Sequence, residues 1–167
     1  MRKLILFALS LALVLNGCST NRAGNFRIYL TDQPIPNAEK ILVTISEIRV
    51  QKKQEAFITV CRETQEHDLL QLQNKEELIL DTELEEGMYT QIRLDVTNGQ
   101  VVINGISHAM IVPSSEVKIP VVFNILRSGV TEIVLDFEPE HSIEVVKAGL
   151  SDQYILRPVI RVKSIKN

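Results

Sequence analysis

The amino-acid sequence predicts an all-β fold, an antiparallel β-sandwich. Three observations carry that expectation. Apolar residues recur with a period of two, not 3.6, from Phe26 to Val162. The periodic runs are rich in Val, Ile and Thr, which suit a pleated, half-buried surface. Turn-forming residues interrupt them at short intervals, the spacing of a sandwich.

Each element follows from its own pattern. "FRIYL" puts Phe26, Ile28 and Leu30 on one face, and Pro34 and Pro36 mark a loop after it. "ILVTISEIRV" puts Ile41, Val43 and Ile45 on one face. Its apolar phase then moves to Ile48 and Val50, which predicts a bulge near Ser46-Glu47. "AFITVC" is a strand-like run whose Cys61 is expected as a buried core thiol. "HDLLQLQNKEEL" reads as a strand over Asp68 to Leu72 and a helical turn over Lys75 to Leu78, with an all-strand reading as the alternative. "YTQIRLDV" sends Ile92, Leu94 and Val96 inward and Gln91, Arg93 and Asp95 outward.

Asn98-Gly99 and Asn104-Gly105 are type I′ hairpin signals, because both residues tolerate positive φ. The second makes "VVINGISHAMIV" a hairpin. "TEIVLDF" aligns Ile133, Leu135 and Phe137. "YILRPVIRV" aligns Leu156, Pro158, Ile160 and Val162, and Pro158, having no N–H, belongs at an edge or a bulge. No boundary interrupts this pattern, so residues 26–167 are expected to form a single domain.

Composition narrows the function. The 167 residues are 45% apolar and 23% charged, proportions that support a packed core. The mild net charge of −3 argues against a nucleic-acid binder, which would need a basic patch to neutralise phosphates, so no nucleic-acid partner is expected.

The N-terminus has a charged start, Arg2-Lys3, and then an apolar run from Leu4 to Leu15. As a helix this run would be about 18 Å long, too short for a bilayer core of about 30 Å. Residues 1–17 therefore read as a secretory signal peptide. Leu15-Asn16-Gly17-Cys18 resembles a bacterial lipobox. That resemblance implies cleavage before Cys18 and acylation, diacylglycerol and palmitate-type chains, at Cys18. Acyl chains in pairs hold a protein firmly to a membrane. Residues 18–25 then form a lipidated tether. Ser19 after the cysteine, by likeness to enterobacterial sorting, points to the outer membrane of a Gram-negative envelope. With Cys18 lipidated, Cys61 has no disulfide partner.

"LTDQP" (30–34), "HDLLQLQN" (67–74), "GMYTQIRLDV" (87–96), "VPSSEVKI" (112–119), "LDFEPEHSI" (135–143) and "YILRPVIRV" (154–162) together resemble the bacterial domain of unknown function 4382 family. The resemblance implies an exported, often lipidated protein with one β-rich domain, and implies no activity. The chain has Glu85-Glu86 where that pattern usually has a proline, and Phe57 where it often has a tryptophan. Gly87-Met88-Tyr89 also resembles the corner of transthyretin-like and carboxypeptidase regulatory sandwiches. A transthyretin-like or immunoglobulin-like topology is therefore expected.

Chemistry-bearing patterns are sparse. HExxH, GxSxG, CxxC and phosphate-loop motifs do not occur. His67, His108 and His141 are spaced without a shared face, and Ser114-Ser115 sits in a turn context after Pro113. Asp32, Asp136 and Glu138 are the candidate acidic cluster, with Asp81, Glu83, Glu85 and Glu86 around the Gly87 turn. Arg93, Arg157 and Arg161 point outward and are candidates for an ion-pair ladder with Asp136. The expected function is a non-catalytic, envelope-anchored binding or structural module without a cofactor. It would be held to the membrane by its lipid and present itself to an envelope polymer or protein. A carboxylate-dependent hydrolase of envelope material and a calcium-dependent binder are the alternatives.

Overall fold

The computed structural model describes residues 22–32, 38–148 and 151–167. Cys18, the expected signal peptide and the loop expected at Pro34 and Pro36 lie outside the described residues. The strands are β1 (Ala23–Asp32), β2 (Lys40–Lys52), β3 (Phe57–Cys61), β4 (Gln65–Asp68), β5 (Glu77–Glu85) and β6 (Gly87–Ile103). They continue with β7 (Ile106–Ile111), β8 (Glu116–Ile125), β9 (Val130–Phe137), β10 (Ile143–Ala148), β11 (Ser151–Leu156) and β12 (Ile160–Lys166). A 3₁₀ turn (Leu69–Leu72) and a one-turn helix, α1 (Pro139–Ser142), complete the described elements.

Two sheets pack face to face, as expected of a sandwich. One has four strands in the order β12-β9-β1-β5. The other has eight, with a main path of β10-β11-β7-β6-β2-β3; β4 also pairs with β2, and β8 with β6. Both sheets are mixed: β1–β9 and β7–β11 pair in parallel, and the other pairs are antiparallel. Parallel neighbours need a long connection, and between β1 and β9 the chain builds most of the second sheet before it returns. β1 begins at Ala23, three residues before the expected domain start, so residues 23–25 belong to the fold and not to the tether.

The Ser46-Glu47 bulge is present. Ile45 pairs with Val96 and Glu47 with Asp95, with Ser46 left between them. The Asn104-Gly105 hairpin is present too, with φ of 50° and 72° at its two turn residues.

Three local expectations fail. Asn98-Gly99 makes no hairpin, since β6 runs through it unbroken. Its glycine serves packing: a Cβ on Gly99 would lie 2.7 Å from a Leu156 methyl and 2.8 Å from the Met110 Cε. Over 68–78 the order of elements is reversed, with the helical turn first and the strand starting at Glu77. Leu69 and Leu72 are both buried, and a 3₁₀ turn brings residues three apart onto one side. "YILRPVIRV" is two strands, not one. Residues 157–159 break it, and β11 and β12 join different sheets.

The two sheets are joined by a stack of three rings. Phe26 of β1 lies parallel to Phe123 of β8 at a centroid distance of 5.0 Å, and Phe123 lies against Tyr89 of β6 at 5.2 Å. All three are buried. Beside the stack the chain changes sheets. β5 ends at Glu85 and β6 starts at Gly87, with Glu86 alone between them. Gly87 has φ of 152°, and a Cβ there would meet the Lys52 Cε at 2.6 Å. The Tyr89 hydroxyl donates back to the Glu85 carbonyl at 3.0 Å and closes the corner. Burial pushes the Tyr89 pKa up, which keeps the phenol a donor.

Tyr89→Phe is expected to cost about 1 kcal/mol, the net worth of one hydrogen bond, without loss of the fold. Gly87→Ala is expected to cost more, because a φ of 152° opposes any side chain there, while the mobile end of Lys52 can move aside. Urea unfolding of the two variants checks the order; Gly87→Ala as stable as the parent would refute this account of the corner.

Candidate functional site

The bulge in β2 decides what the outer face of the eight-stranded sheet carries. Before it Ile41, Val43 and Ile45 face the core, and after it Ile48 and Val50 do. The extra residue turns Glu47 and Arg49 outward, opposite the polar series of β6. Register then aligns charges across three strands. Glu47 pairs with Asp95, and Asp95 with Glu116. The next outward positions align Arg49 with Arg93, and Arg93 with Lys118. An acidic row thus runs across β2, β6 and β8 beside a basic row.

Like charges directly opposite one another repel, and the contacts between rows offset this. Arg49 reaches both Asp95 oxygens at 3.1 Å and Glu116 at 3.0 Å, with Glu47 at 3.6 Å. Arg93 reaches Glu116 at 3.0 Å and lies over the Phe57 ring at 3.8 Å. Arg62 approaches Glu47 at 3.6 Å and Lys118 approaches Glu116 at 3.5 Å. The Thr59 hydroxyl donates to Glu47 at 2.7 Å. That hydrogen bond, helped by Asp95 and the two arginines, holds the Glu47 carboxyl below its usual range. Burial, with Glu47 beside it, holds the Asp95 carboxyl above its usual range despite Arg49. Burial also acts upward on Glu116, but Arg93 and Arg49 outweigh it and the carboxyl sits low.

The candidate cluster of Asp32, Asp136 and Glu138 is not one site. In the β1–β9 register Asp32 is level with Phe137 and continues the inward series of Ile28 and Leu30. Asp136 is level with Thr31 on the opposite face. Glu138 follows β9; one carboxylate oxygen pairs with Arg161 at 3.0 Å, and the other lies 3.1 Å from the His141 Nδ1. Glu138, His141 and Arg161 line a shallow depression with Pro139 and Glu140.

The expected ladder does not take in all three arginines. Arg161 is level with Asp136, and its Nε pairs with Glu138. Arg157 pairs with Glu144, and Arg93 lies in the other sheet with Glu116. Near the Gly87 corner two of the four acids are engaged. Arg27 bonds Asp81 at 3.1 Å, and Lys52 bonds Glu85 at 2.9 Å.

The remaining singled-out residues lie apart. His67 is buried on β4 with its Nδ1 3.0 Å from Glu77, and His108 packs its ring against Tyr154 at 4.8 Å. Cys61 is half-buried, not buried, because β3 is a short strand at the sheet border. Ser114 and Ser115 are exposed, as expected of a turn. Among the described residues no group of three His, Cys, Asp or Glu is arranged to hold a metal ion.

Two packed mixed sheets with ionic rows on an outer face define an all-β sandwich. Residues 23–158 match the model of the family described as domain of unknown function (DUF4382), and the chain belongs to that family. The match covers β1 through Pro158 and stops short of β12. No curated protein and no solved structure matches the chain.

The rows give a pH test with signs set by the shifts. Glu47 has a lowered pKa, so its stabilisation is present above the ordinary value of 4.5 and is lost as pH falls through the folded value. Asp95 has a raised pKa, so it does the reverse: its burden is relieved as pH falls toward the ordinary value of 3.8. Urea midpoints measured from neutral pH down to about pH 3 should fall less steeply for Glu47→Gln than for the parent, and more steeply for Asp95→Asn. Identical slopes would refute the assignment.

Proposed function

We propose that this chain is a lipid-anchored, non-catalytic module of the bacterial envelope that displays its sandwich at a membrane surface. The observation that carries the reading is the placement of the lipobox Leu15-Asn16-Gly17-Cys18 immediately ahead of a fold that starts at Ala23. An acylated Cys18 would leave only residues 19–22 between the lipid and the first strand. Family membership agrees with the reading without adding an activity.

The ionic rows support a structural role for the polar face. Their carboxylates and guanidiniums are spent on one another across three strands, which adds cross-strand pairs to the register that the buried face sets. A hydrolase would need a carboxylate open to substrate. Glu138, the best placed of the sequence candidates, instead has one oxygen at Arg161 and the other at His141. The face would then meet an envelope polymer or protein as a folded surface with a fixed charge pattern.

The test is metabolic labelling with radioactive palmitate, followed by fractionation. The parent should carry label and sediment with membranes. Cys18→Ser should lose the label and move to the soluble fraction with its far-ultraviolet circular dichroism still that of a β protein. Label retained in Cys18→Ser would overturn the anchor.

A further inference from the structure

We infer that the turn Leu126–Gly129 and the adjoining end of β12 rest on the lipid bilayer, so that the sandwich stands on the membrane in one orientation. The inference rests on the proposed anchor at Cys18 and adds which part of the fold touches lipid.

Covalent geometry sets the reach. Five Cα steps separate Cys18 from Ala23, so the strand's first residue stays within roughly 17 Å of the anchor even if the segment is fully extended. The turn 126–129 is fastened to that same point. The Ser128 amide donates to the Ala23 carbonyl at 2.9 Å, and the Asn25 amide to the Gly129 carbonyl at 2.9 Å. Gly24 allows the approach, because a Cβ there would lie 2.2 Å from the Leu126 carbonyl oxygen. A lipid on Cys18 therefore holds the turn close to the bilayer.

The chemistry of this corner suits a lipid surface. Leu126 is 52% exposed, Val130 40% and Ile165 39%. Arg127 and Lys166 beside them are exposed and cationic, as is Arg22 at the root of the tether. Apolar tips flanked by cations bind at the boundary of headgroups and acyl chains, where the cations meet lipid phosphate. The exposed acids at this end, Glu55, Glu83, Glu85 and Glu86, lie along the β2–β3 turn and the β5–β6 corner. Glu85 is level with Ala23 and the Glu86 amide donates to the Arg22 carbonyl at 2.6 Å, so these acids flank the root of the chain on the β5 side, across β1 from β12; anionic headgroups repel them and tilt the sandwich toward the basic, apolar side. The Asn104-Gly105 hairpin lies at the other end of β6 and points away from the membrane, although its Ile106 is 61% exposed.

The chain has no tryptophan, so a single introduced one reports depth directly. Lipidated full-length Leu126→Trp and Ile106→Trp proteins are reconstituted into phosphatidylethanolamine–phosphatidylglycerol vesicles with brominated acyl chains. The Leu126→Trp emission should be blue-shifted and quenched several-fold more than that of Ile106→Trp. Adding Arg127→Glu and Lys166→Glu to Leu126→Trp should reduce the quenching. Equal quenching at both positions, in vesicles that float with bound protein, would overturn the orientation and leave the anchor standing. Failure of the protein to float would overturn the anchor, and the orientation with it. Amide exchange on the unsubstituted protein is a second readout. Residues 126–130 should exchange several-fold more slowly in the vesicle-bound protein than in soluble Cys18→Ser, with residues 104–107 unchanged. Equal rates at 126–130 would contradict the contact.

Discussion

The contact between Phe26, Phe123 and Tyr89 is the constraint on which the rest of the structure depends. Each ring comes from a different strand, and the stack crosses from the four-stranded sheet to the eight-stranded one. Aromatic rings bury large apolar area and gain further from offset stacking. In a protein with 5% aromatic residues and no tryptophan, three rings gathered in one place are a large share of that resource. Beside them the chain makes its sheet change at Glu86, and Tyr89 serves both features, with its ring in the stack and its hydroxyl on the corner. The stack also sits at the start of β1, where the chain enters the fold.

Much of this architecture was legible in the sequence, and the rest failed for physical reasons that differ by site. Alternation along Ile92, Leu94 and Val96 was sufficient, because one face of β6 is buried. The shift from Ile45 to Ile48 identified the bulge, because an extra residue must reverse the phase of everything after it. Asn98-Gly99 misled because the same dipeptide that eases a turn also leaves room for neighbours, and here Leu156 and Met110 fill that room. The strand expected over Asp68 to Leu72 misled because the buried pair there is Leu69 and Leu72, three apart, which fits a 3₁₀ turn and not a strand. Pro158 was expected inside one strand, yet its missing N–H suits the link between two sheets.

The ionic rows were invisible for a different reason. Arg93 and Asp95 were legible as outward residues. Their partners Glu47, Arg49, Glu116 and Lys118 depend on the registers of β2 and β8, which no local pattern specifies. The acidic cluster was misjudged because Asp32 and Asp136 lie on neighbouring strands but alternate to opposite faces. The proposed anchor signal is a linear motif and needs no fold to be read. The surface of the sandwich nearest the proposed anchor could be recognised only once the turn 126–129 was placed against Ala23.

These features make one mechanical unit. The fold begins at Ala23, β1 is held by the turn 126–129 and by the ring stack, and the stack ties that strand to the sheet bearing the charged face. The most direct test of this central role is a double-mutant cycle on Phe26→Leu and Phe123→Leu, measured by urea unfolding. A coupling of about 0.5–1.5 kcal/mol beyond the loss of buried area is the expected result. Additive effects, within about 0.3 kcal/mol, would show that the rings merely fill space and would contradict the account.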